Sequence, residues 1–195
     1  VLEKAALLLI DLHTEEGVTG RTYLFGYLER GIAYMAALVR DIVAMTRGDK
    51  IAPQDLYAKV RKRLSLMGHE GLSTMAAAGF DMACWDALAR AAGGPLVTLL
   101  GGSPRSLPAY NSNGLGLIEP AAAADEARAL VAEGDFKAVK MRLGRPTLEE
   151  DLAAVRAVRE AVGDDILVPS DFNQGLTVIE AIRRGQALDD EGLYW

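Results

Sequence analysis

The chain has 195 residues, of which 50% are hydrophobic and 25% are charged, enough for one large or two modest globular domains. Its 21 lysines and arginines against 27 aspartates and glutamates give a net charge of −6, so we expect no nucleic-acid or membrane partner. The single cysteine, Cys84, excludes an intramolecular disulfide. Because no signal peptide or membrane-length apolar run is evident, we expect a cytoplasmic protein.

The first half of the chain predicts an α+β unit. Two β-prone apolar runs around Glu15-Glu16-Gly17 predict an antiparallel hairpin, Ala5–Thr14 and Val18–Tyr27. Apolar residues at spacings of three and four predict a helix over 28–47, and a second helix is predicted after Pro53, over 53–68. A third predicted helix, 72–92, is rich in small residues and should pack closely against a partner. Ser103-Pro104-Arg105 is the predicted boundary, so residues 1–104 form the predicted N-terminal domain.

The second half alternates between strand and helix. The predicted strands are 107–111, 136–143, 166–171 and the start of another at 192–195. The predicted helices are 120–133, 147–162 and 177–188. This rhythm is typical of a parallel barrel or a doubly wound sheet. Since a closed (β/α)₈ barrel takes ~250 residues, we expect residues 105–195 to form an incomplete α/β barrel of the TIM type. The sequence also begins with Val1 rather than Met, and we expect it to be part of a longer protein.

Polar side chains lie at or just beyond the C-terminal ends of two of the predicted strands. Asp171 and Asn173 are two positions apart, as are Lys140 and Arg142. Side chains alternate along a strand, so each pair should share a face. Parallel strands carry their ligands at their C-terminal ends. One strand therefore offers oxygen atoms of the kind that bind metals, and its neighbour offers positive charge.

Other roles for these residues are compatible with the pattern. Asp171 could form a turn or cap a helix, and Asn173 could do the same. Lys140 could lie at the rim of the sheet, and Arg142 could be a salt-bridge partner. Ser112, just after the first predicted strand of the second half, could be an ordinary loop hydroxyl.

Several sequence runs resemble the mandelate racemase and muconate lactonising family of the enolase superfamily. The runs are Leu9–Leu12, Tyr23–Phe25, Met75–Leu88, Pro95–Gly101, Phe136–Lys140, Asp151–Arg156, Val162–Asp165 and Asp171-x-Asn173-Gln174. They cover nearly all of the chain. The resemblance implies an N-terminal capping domain followed by a modified barrel whose strands carry the chemistry at their C-terminal ends.

The resemblance also implies roles for individual residues. Asp171 falls at the first of three carboxylate ligands to Mg²⁺, and Asn173 at a contact to substrate or to metal-bound oxygens. Lys140 matches the lysine that polarises the substrate carboxylate, and Arg142 stands where the family has a catalytic base. Ser112 falls at a substrate-contacting serine. The chain ends just before the run that supplies the family's second metal carboxylate.

Arg142 determines the expected reaction. Arginine stays protonated at any working pH and is a poor proton acceptor, which disfavours racemisation by two bases. The resemblance implies Mg²⁺-dependent abstraction of the proton alpha to a carboxylate, and Arg142 leads us to expect that a single base removes this proton and that dehydration of an acid sugar follows. The alternatives are racemisation of a 2-hydroxy acid and a catalytically silent family member. The expected partners are a small carboxylate substrate and further copies of the same chain.

Overall fold

The computed structural model describes residues 5–195. These residues form two compact units, one ending at Arg105 and the other spanning Ser106–Trp195. In the described part of the chain, no helix is both long and apolar enough to cross a bilayer.

The first unit begins with the predicted hairpin, which the structure confirms. Strands β1 (Leu7–His13) and β2 (Thr19–Phe25) pair antiparallel. Gly17 occupies the turn at φ +81°, a left-handed conformation that glycine adopts without steric cost. On one face of the hairpin Ile10 and Leu24 are buried, and they belong to the core of this unit.

Four helices follow the hairpin, and they are α1 (Glu29–Thr46), α2 (Pro53–Arg63), α3 (Leu72–Ala91) and the short α4 (Leu96–Leu99). The predictions for α1 and α3 are confirmed to within a residue at each end. The predicted second helix was too long, since α2 stops before an exposed turn in which Leu66 and Met67 have no core to pack on.

Close packing of α3 against β2 explains the small residues of this helix. A Cβ atom at Gly20 would overlap the Ala83 carbonyl and lie 2.8 Å from the Ala87 nitrogen. Ala76, Ala83 and Ala87 are almost fully buried. The helix backbone can therefore approach the strand because side-chain volume is absent on both sides.

The second unit is α/β. It contains α5 (Pro120–Ala132), β3 (Met141–Arg142), α6 (Leu148–Val162), β4 (Ser170–Asp171) and α7 (Val178–Leu188). β3 and β4 are parallel, with Arg142 opposite Asp171. The helix predictions are confirmed, including a capping box in which Thr147 and Glu150 bond each other's backbone N–H groups.

The predicted strands were too long, because regular pairing is limited to a few residues. The first predicted strand is reduced to a bridge between Asn111 and Val139, and the stretch before β4 is a bridge at Leu167. Pro169, just before β4, has no N–H group to donate, so regular pairing is interrupted between the bridge at Leu167 and β4. Hydrogen bonding nevertheless continues past the short strands, from Val139 N to Leu167 O at 3.0 Å and from Leu143 N to Asp171 O at 3.0 Å.

The last residues continue the same arrangement. Tyr194 N donates to Val168 O at 3.0 Å, and Ser170 N donates to Trp195 O at 2.8 Å. The extended segments of this unit are thus neighbours in chain order, as expected for parallel strands joined by helices. Continuation into a barrel stays a prediction.

Side chains on β3 and on the extended residues next to it, 139–143, divide between two faces. Val139, Met141 and Leu143 are buried in one hydrophobic cluster with residues of α5 and α6. The alternating positions, Lys140 and Arg142, are only partly buried. Because alternate residues point to opposite faces, both cations lie on the face away from the helices.

Candidate active site

Lys140 and Asp171 form an ion pair between neighbouring segments of the parallel sheet. The Lys140 ammonium donates to Asp171 Oδ2 at 2.8 Å, and the two side chains are 24% and 28% exposed. Both groups keep access to solvent, so a small molecule could reach them. The site therefore combines a cation and an anion on one side of the sheet.

Arg142 lies directly opposite Asp171 in the register of β3 and β4. The hydrogen bond from Lys140 holds the pKa of the Asp171 carboxyl below its usual value, and the Asn173 backbone N–H and the charges of Lys140 and Arg142 act in the same direction. Asp171 is therefore ionised near neutral pH. Two positive charges against one negative charge leave this face with an excess of positive charge suited to an anionic ligand.

Asn173 does not share a strand face with Asp171, which differs from the prediction. β4 ends at Asp171, and Asn173 has a left-handed backbone with φ +51°. Its N–H donates to Asp171 Oδ1 at 2.6 Å, the turn that short acidic side chains form with the backbone two residues ahead. Strand alternation therefore does not extend to Asn173, and its contact with substrate stays a prediction.

Ser112 follows Asn111 on an exposed loop. The loop is fixed at both ends, since Asn111 Nδ2 donates to Leu130 O at 3.1 Å and to Glu133 Oε2 at 2.8 Å, and Leu115 N donates to Glu126 Oε2 at 2.7 Å. The structure gives Ser112 no side-chain partner among the described residues, and its role also stays a prediction.

Two aromatic side chains, Trp195 beside Lys140 and Tyr110 beside Trp195, were not identified as site residues in the sequence. The Lys140 ammonium lies 6.0 Å from the centroid of the Trp195 ring, at the outer limit of a cation–π contact. The Tyr110 and Trp195 rings meet edge to face at 6.1 Å. Trp195 belongs to the run 192–195, which predicts the start of a strand. Strand alternation was the signal that could have assigned its side chain to the face of the site.

A group of buried charged residues just behind the site was also missed. Asp151 is fully buried, and Arg145 and Arg184 are each 8% exposed. Arg184 Nη1 donates to Asp151 Oδ2 at 2.5 Å, and the Arg145 guanidinium lies 3.5 Å from Asp151 Oδ1. The helical spacing of Asp151 with the apolar Val155 and Val158 could have indicated that this carboxylate faces the interior.

The donor set around Asp171 fits one ligand of a magnesium ion. Its carboxylate is ionised and accepts one hydrogen bond at each oxygen, which leaves lone pairs for a cation. Mg²⁺ prefers such oxygen ligands. Within residues 5–195 there is no cluster of three or more potential His, Cys, Asp or Glu ligands. Asp171 can therefore serve as one ligand, and further ligands are needed for a complete site.

Two protein-family models match the chain. The N-terminal domain of mandelate racemase / muconate lactonizing enzyme matches residues 1–101. The enolase C-terminal domain-like family matches residues 122–195. Together the two matches cover most of both structural units.

Curated relatives match the whole chain at moderate identity. A 3,6-anhydro-alpha-L-galactonate cycloisomerase of Streptomyces coelicolor is 32% identical over 190 residues, covering 97% of this chain and 52% of the relative. An L-talarate/galactarate dehydratase of Salmonella typhimurium is 29% identical over 198 residues, covering 100% of this chain and 49% of the relative. The chain thus spans about half the length of these relatives.

Solved structures are similar over the same extent. An enolase from alpha proteobacterium bal199 with bound magnesium has a TM-score of 0.88 and 47% identity, covering 100% of this chain and 57% of that one. An enolase from Bradyrhizobium, complexed with magnesium and mandelic acid, has a TM-score of 0.86 and 40% identity, covering 98% of this chain and 52% of that one.

Proposed function

The chain belongs to the mandelate racemase / muconate lactonizing enzyme family, and we propose that a protein of its relatives' length containing this chain removes the proton alpha to the carboxylate of a small acid. We refer to that protein as the full-length protein. The proposed reaction depends on Mg²⁺ and proceeds through an enediolate. Its most favoured outcome is dehydration of an acid sugar.

The contact between Lys140 and Asp171 carries this proposal. A proton alpha to a carboxylate is weakly acidic because its removal places a second negative charge beside the first. Positive charge held in position lowers that cost. Lys140, 2.8 Å from Asp171 Oδ2, is such a charge, and the ionised Asp171 beside it can bind a cation. One small acid could contact both groups.

Lys140 and Arg142 have distinct proposed roles. The Lys140 ammonium donates to a substrate carboxylate oxygen and offsets the negative charge that develops there. Arg142 binds the carboxylate through its planar guanidinium, which presents two parallel N–H donors to two oxygens. Because Arg142 does not release its proton, it orients the substrate, and the base that removes the α-proton is another residue of the full-length protein.

Asp171 is the proposed magnesium ligand in this chain. Enolase-superfamily sites use one or two Mg²⁺ ions to stabilise the negative charge of the enediolate. The ionised state of Asp171, maintained by its hydrogen bond from Lys140, keeps the carboxylate ready to bind a cation at neutral pH. The Asn173 N–H bond to Oδ1 fixes the orientation of this carboxylate.

Dehydration is favoured because it needs only one base. The base takes the α-proton and then, as its conjugate acid, gives a proton to the β-hydroxyl, which leaves the enediolate as water when its C–O bond breaks. The resulting enol tautomerises to a 2-keto acid. The dehydratase of Salmonella typhimurium, 29% identical over the whole of this chain, is consistent with this outcome.

Racemisation is the second candidate, supported by the Bradyrhizobium structure with mandelic acid at 40% identity. It would need a proton acceptor and donor on both faces of the substrate. Lys140 could act on one face, whereas Arg142 is poorly suited to that task. The identity of residue 142 is therefore the feature of this chain that separates the two candidates.

The test is to incubate the full-length protein with Mg²⁺ in D₂O and a panel of sugar acids and mandelate-like acids, followed by NMR. Dehydration predicts loss of water and a 2-keto acid product. Racemisation predicts deuterium at the α-carbon with the substrate skeleton intact. Arg142→Lys should retain dehydration within about tenfold, since it keeps the cation but loses the planar fork.

Two alanine variants decide whether the site is used at all. Lys140→Ala should lower kcat by about 10²–10³-fold, the effect of losing a group that stabilises developing charge. Arg142→Ala should mainly raise KM. Activity unchanged in both variants would refute dehydration and racemisation alike. The predicted homo-oligomer stays a prediction, which sedimentation equilibrium of the full-length protein tests.

A further inference from the structure

The loop after β3 leaves the candidate site through Leu143, Gly144, Arg145 and Pro146. Its backbone is held by charged side chains that the proposed chemistry does not use. Gly144 N donates to Asp151 Oδ1 and Oδ2 at 3.1 and 3.2 Å, and Arg145 N donates to Asp151 Oδ1 at 3.0 Å. One buried carboxylate therefore fixes two consecutive N–H groups at the exit of the strand.

Arg184, on α7, completes the attachment from the other side. Besides its bond to Asp151, its guanidinium donates to Arg145 O at 3.0 Å and to Pro146 O at 3.3 Å. Asp151 thus holds donors of the loop and Arg184 holds its acceptors. The ion pair of Asp151 and Arg184 therefore satisfies both N–H and C=O groups of the loop. It is buried, since Asp151 has no exposed surface.

Arg145 links this loop to the reacting face. Its Nη1 donates to the Arg142 carbonyl at 3.4 Å, and its Nη2 donates to the Ile118 carbonyl at 2.6 Å. Ile118 follows the loop that carries Ser112. The Arg145 side chain therefore connects the backbone of Arg142 with the preceding strand-to-helix loop, next to the bond from Arg142 N to Leu115 O at 2.8 Å.

We propose that Asp151, Arg184 and Arg145 are positioning residues that fix the backbone at Arg142, from which its guanidinium reaches the substrate carboxylate. The inference rests on the proposed function of Arg142 and adds residues to which that function assigned no role. The side-chain torsions of Arg142 stay free, but a backbone that is already ordered reduces the conformational freedom lost when substrate binds. We call Asp151, Arg184 and Arg145 the anchor. A substitution that loosens the anchor should therefore weaken substrate binding more than it slows the chemical step.

The principal variant is Arg184→Lys in the full-length protein. It keeps one positive charge beside Asp151 but cannot reach two carbonyls and a carboxylate together. We expect KM to rise about tenfold with kcat changed less than about twofold, the pattern of lost binding common to ground and transition states. A purely structural role would lower the fraction of folded enzyme, which reduces apparent kcat at unchanged KM.

A double-mutant cycle shows whether the effect passes through Arg142. In the Arg142→Ala background, Arg184→Lys should cause no further rise in KM, because the group being positioned is absent. Asp125→Asn, which removes an exposed pair with Arg128 on α5, is the matched control and should leave KM unchanged in both backgrounds. An unchanged KM for Arg184→Lys, or full additivity in the cycle, would overturn the proposal.

Hydrogen–deuterium exchange gives a readout that does not depend on catalysis. The peptide spanning Met141–Thr147 should exchange at least about tenfold faster in Arg184→Lys, as expected for local opening, while peptides from α5 stay unchanged. If the wild-type protein shows no activity on any acid, the proposed function fails, and this exchange measurement still reports on the anchor. If the Met141–Thr147 peptide exchanged at the same rate in wild type and in Arg184→Lys, the claim that Arg184 holds this loop would be refuted.

Discussion

The two units of this molecule differ in where they bury charge. Among residues 5–105, the buried polar side chains are the hydroxyl residues Thr46 and Ser73, and the ion pairs lie at the surface. The unit Ser106–Trp195 buries Asp151, Arg145 and Arg184 completely or nearly so. Desolvating charge is costly unless it is paired and hydrogen-bonded. Here the buried charges hold loops at the ends of strands, where the proposed chemistry takes place.

The comparison indicates that the two units are stabilised in different ways. The first unit is held by close packing of small and apolar residues, which needs no buried charge. The second unit fixes irregular backbone between strand and helix, whose N–H and C=O groups have no ladder partners of their own. Charged side chains supply those partners.

The largest expected effect comes from removing a buried charge. Asp151→Asn should lower the free energy of unfolding by about 3–5 kcal/mol, because it removes the buried carboxylate that pairs with two buried guanidinium groups. Arg184 would keep only the more exposed Glu180, at 3.4 Å. Asp49→Asn, which breaks the exposed pair with Lys59 in the first unit, should cost at most about 1 kcal/mol. Urea denaturation of the full-length protein measures both. Equal costs would remove the distinction between the units.

A steric substitution tests the packing of the first unit. Gly20→Ala should destabilise by about 3 kcal/mol, because its Cβ would overlap the backbone of α3 and neither element can shift freely. Gly94→Ala is the control, since nothing lies within 4 Å of its added Cβ. If thermal denaturation showed the two variants equally stable, the close approach of β2 and α3 would be wrong.

The pH dependence of stability sharpens the account of Asp171. Its folded-state pKa lies below the ordinary value of 3.8. The pair with Lys140 therefore contributes stability that is fully present above that value and is lost as pH falls through the lower, folded-state pKa. The difference in Tm between wild type and Asp171→Asn should be constant from neutral pH to about 5 and shrink in stronger acid. A difference that grew on acidification would contradict this sign.

The smallest expected effect concerns the chemical reactivity of Cys84, in the core of the first unit. Burial raises the pKa of the Cys84 thiol to about 12, and the nearby negative charge of Asp81 adds to the effect. The thiol should therefore stay unmodified by iodoacetamide at pH 8 while the protein is folded, and react once urea unfolds it. Intact-mass spectrometry follows the modification. Rapid labelling of the folded protein would show that the helix is more open than described.

Much of this arrangement could be predicted from local patterns. Three-and-four spacing located α1, the run of small residues indicated α3, and the Thr147-x-x-Glu150 motif located the start of α6. Strand alternation predicted that Lys140 and Arg142 share a face, because both follow buried residues of one apolar run. These signals come from residues that are close together in the sequence, so one sequence is enough to detect them.

The remainder depends on contacts between distant residues. Asp151 looks like an ordinary acid in the first turn of a helix, where it favours the helix dipole, and only the fold shows that it bonds Arg184, 33 positions away. The prediction that Asn173 shares a strand face with Asp171 failed for a different reason. Asn173 adopts a left-handed conformation that asparagine tolerates but does not require.

The central claim is that Lys140 and Asp171 form a site for proton abstraction next to a carboxylate. Its most direct test is the rate of solvent deuterium exchange at the α-carbon of the best substrate acid, compared among wild type, Lys140→Ala and Lys137→Ala of the full-length protein. Lys137 precedes Lys140 on the same segment and is exposed. The account predicts a loss of at least about 10²-fold for Lys140→Ala and no change for Lys137→Ala. Equal exchange rates in all three proteins would contradict it.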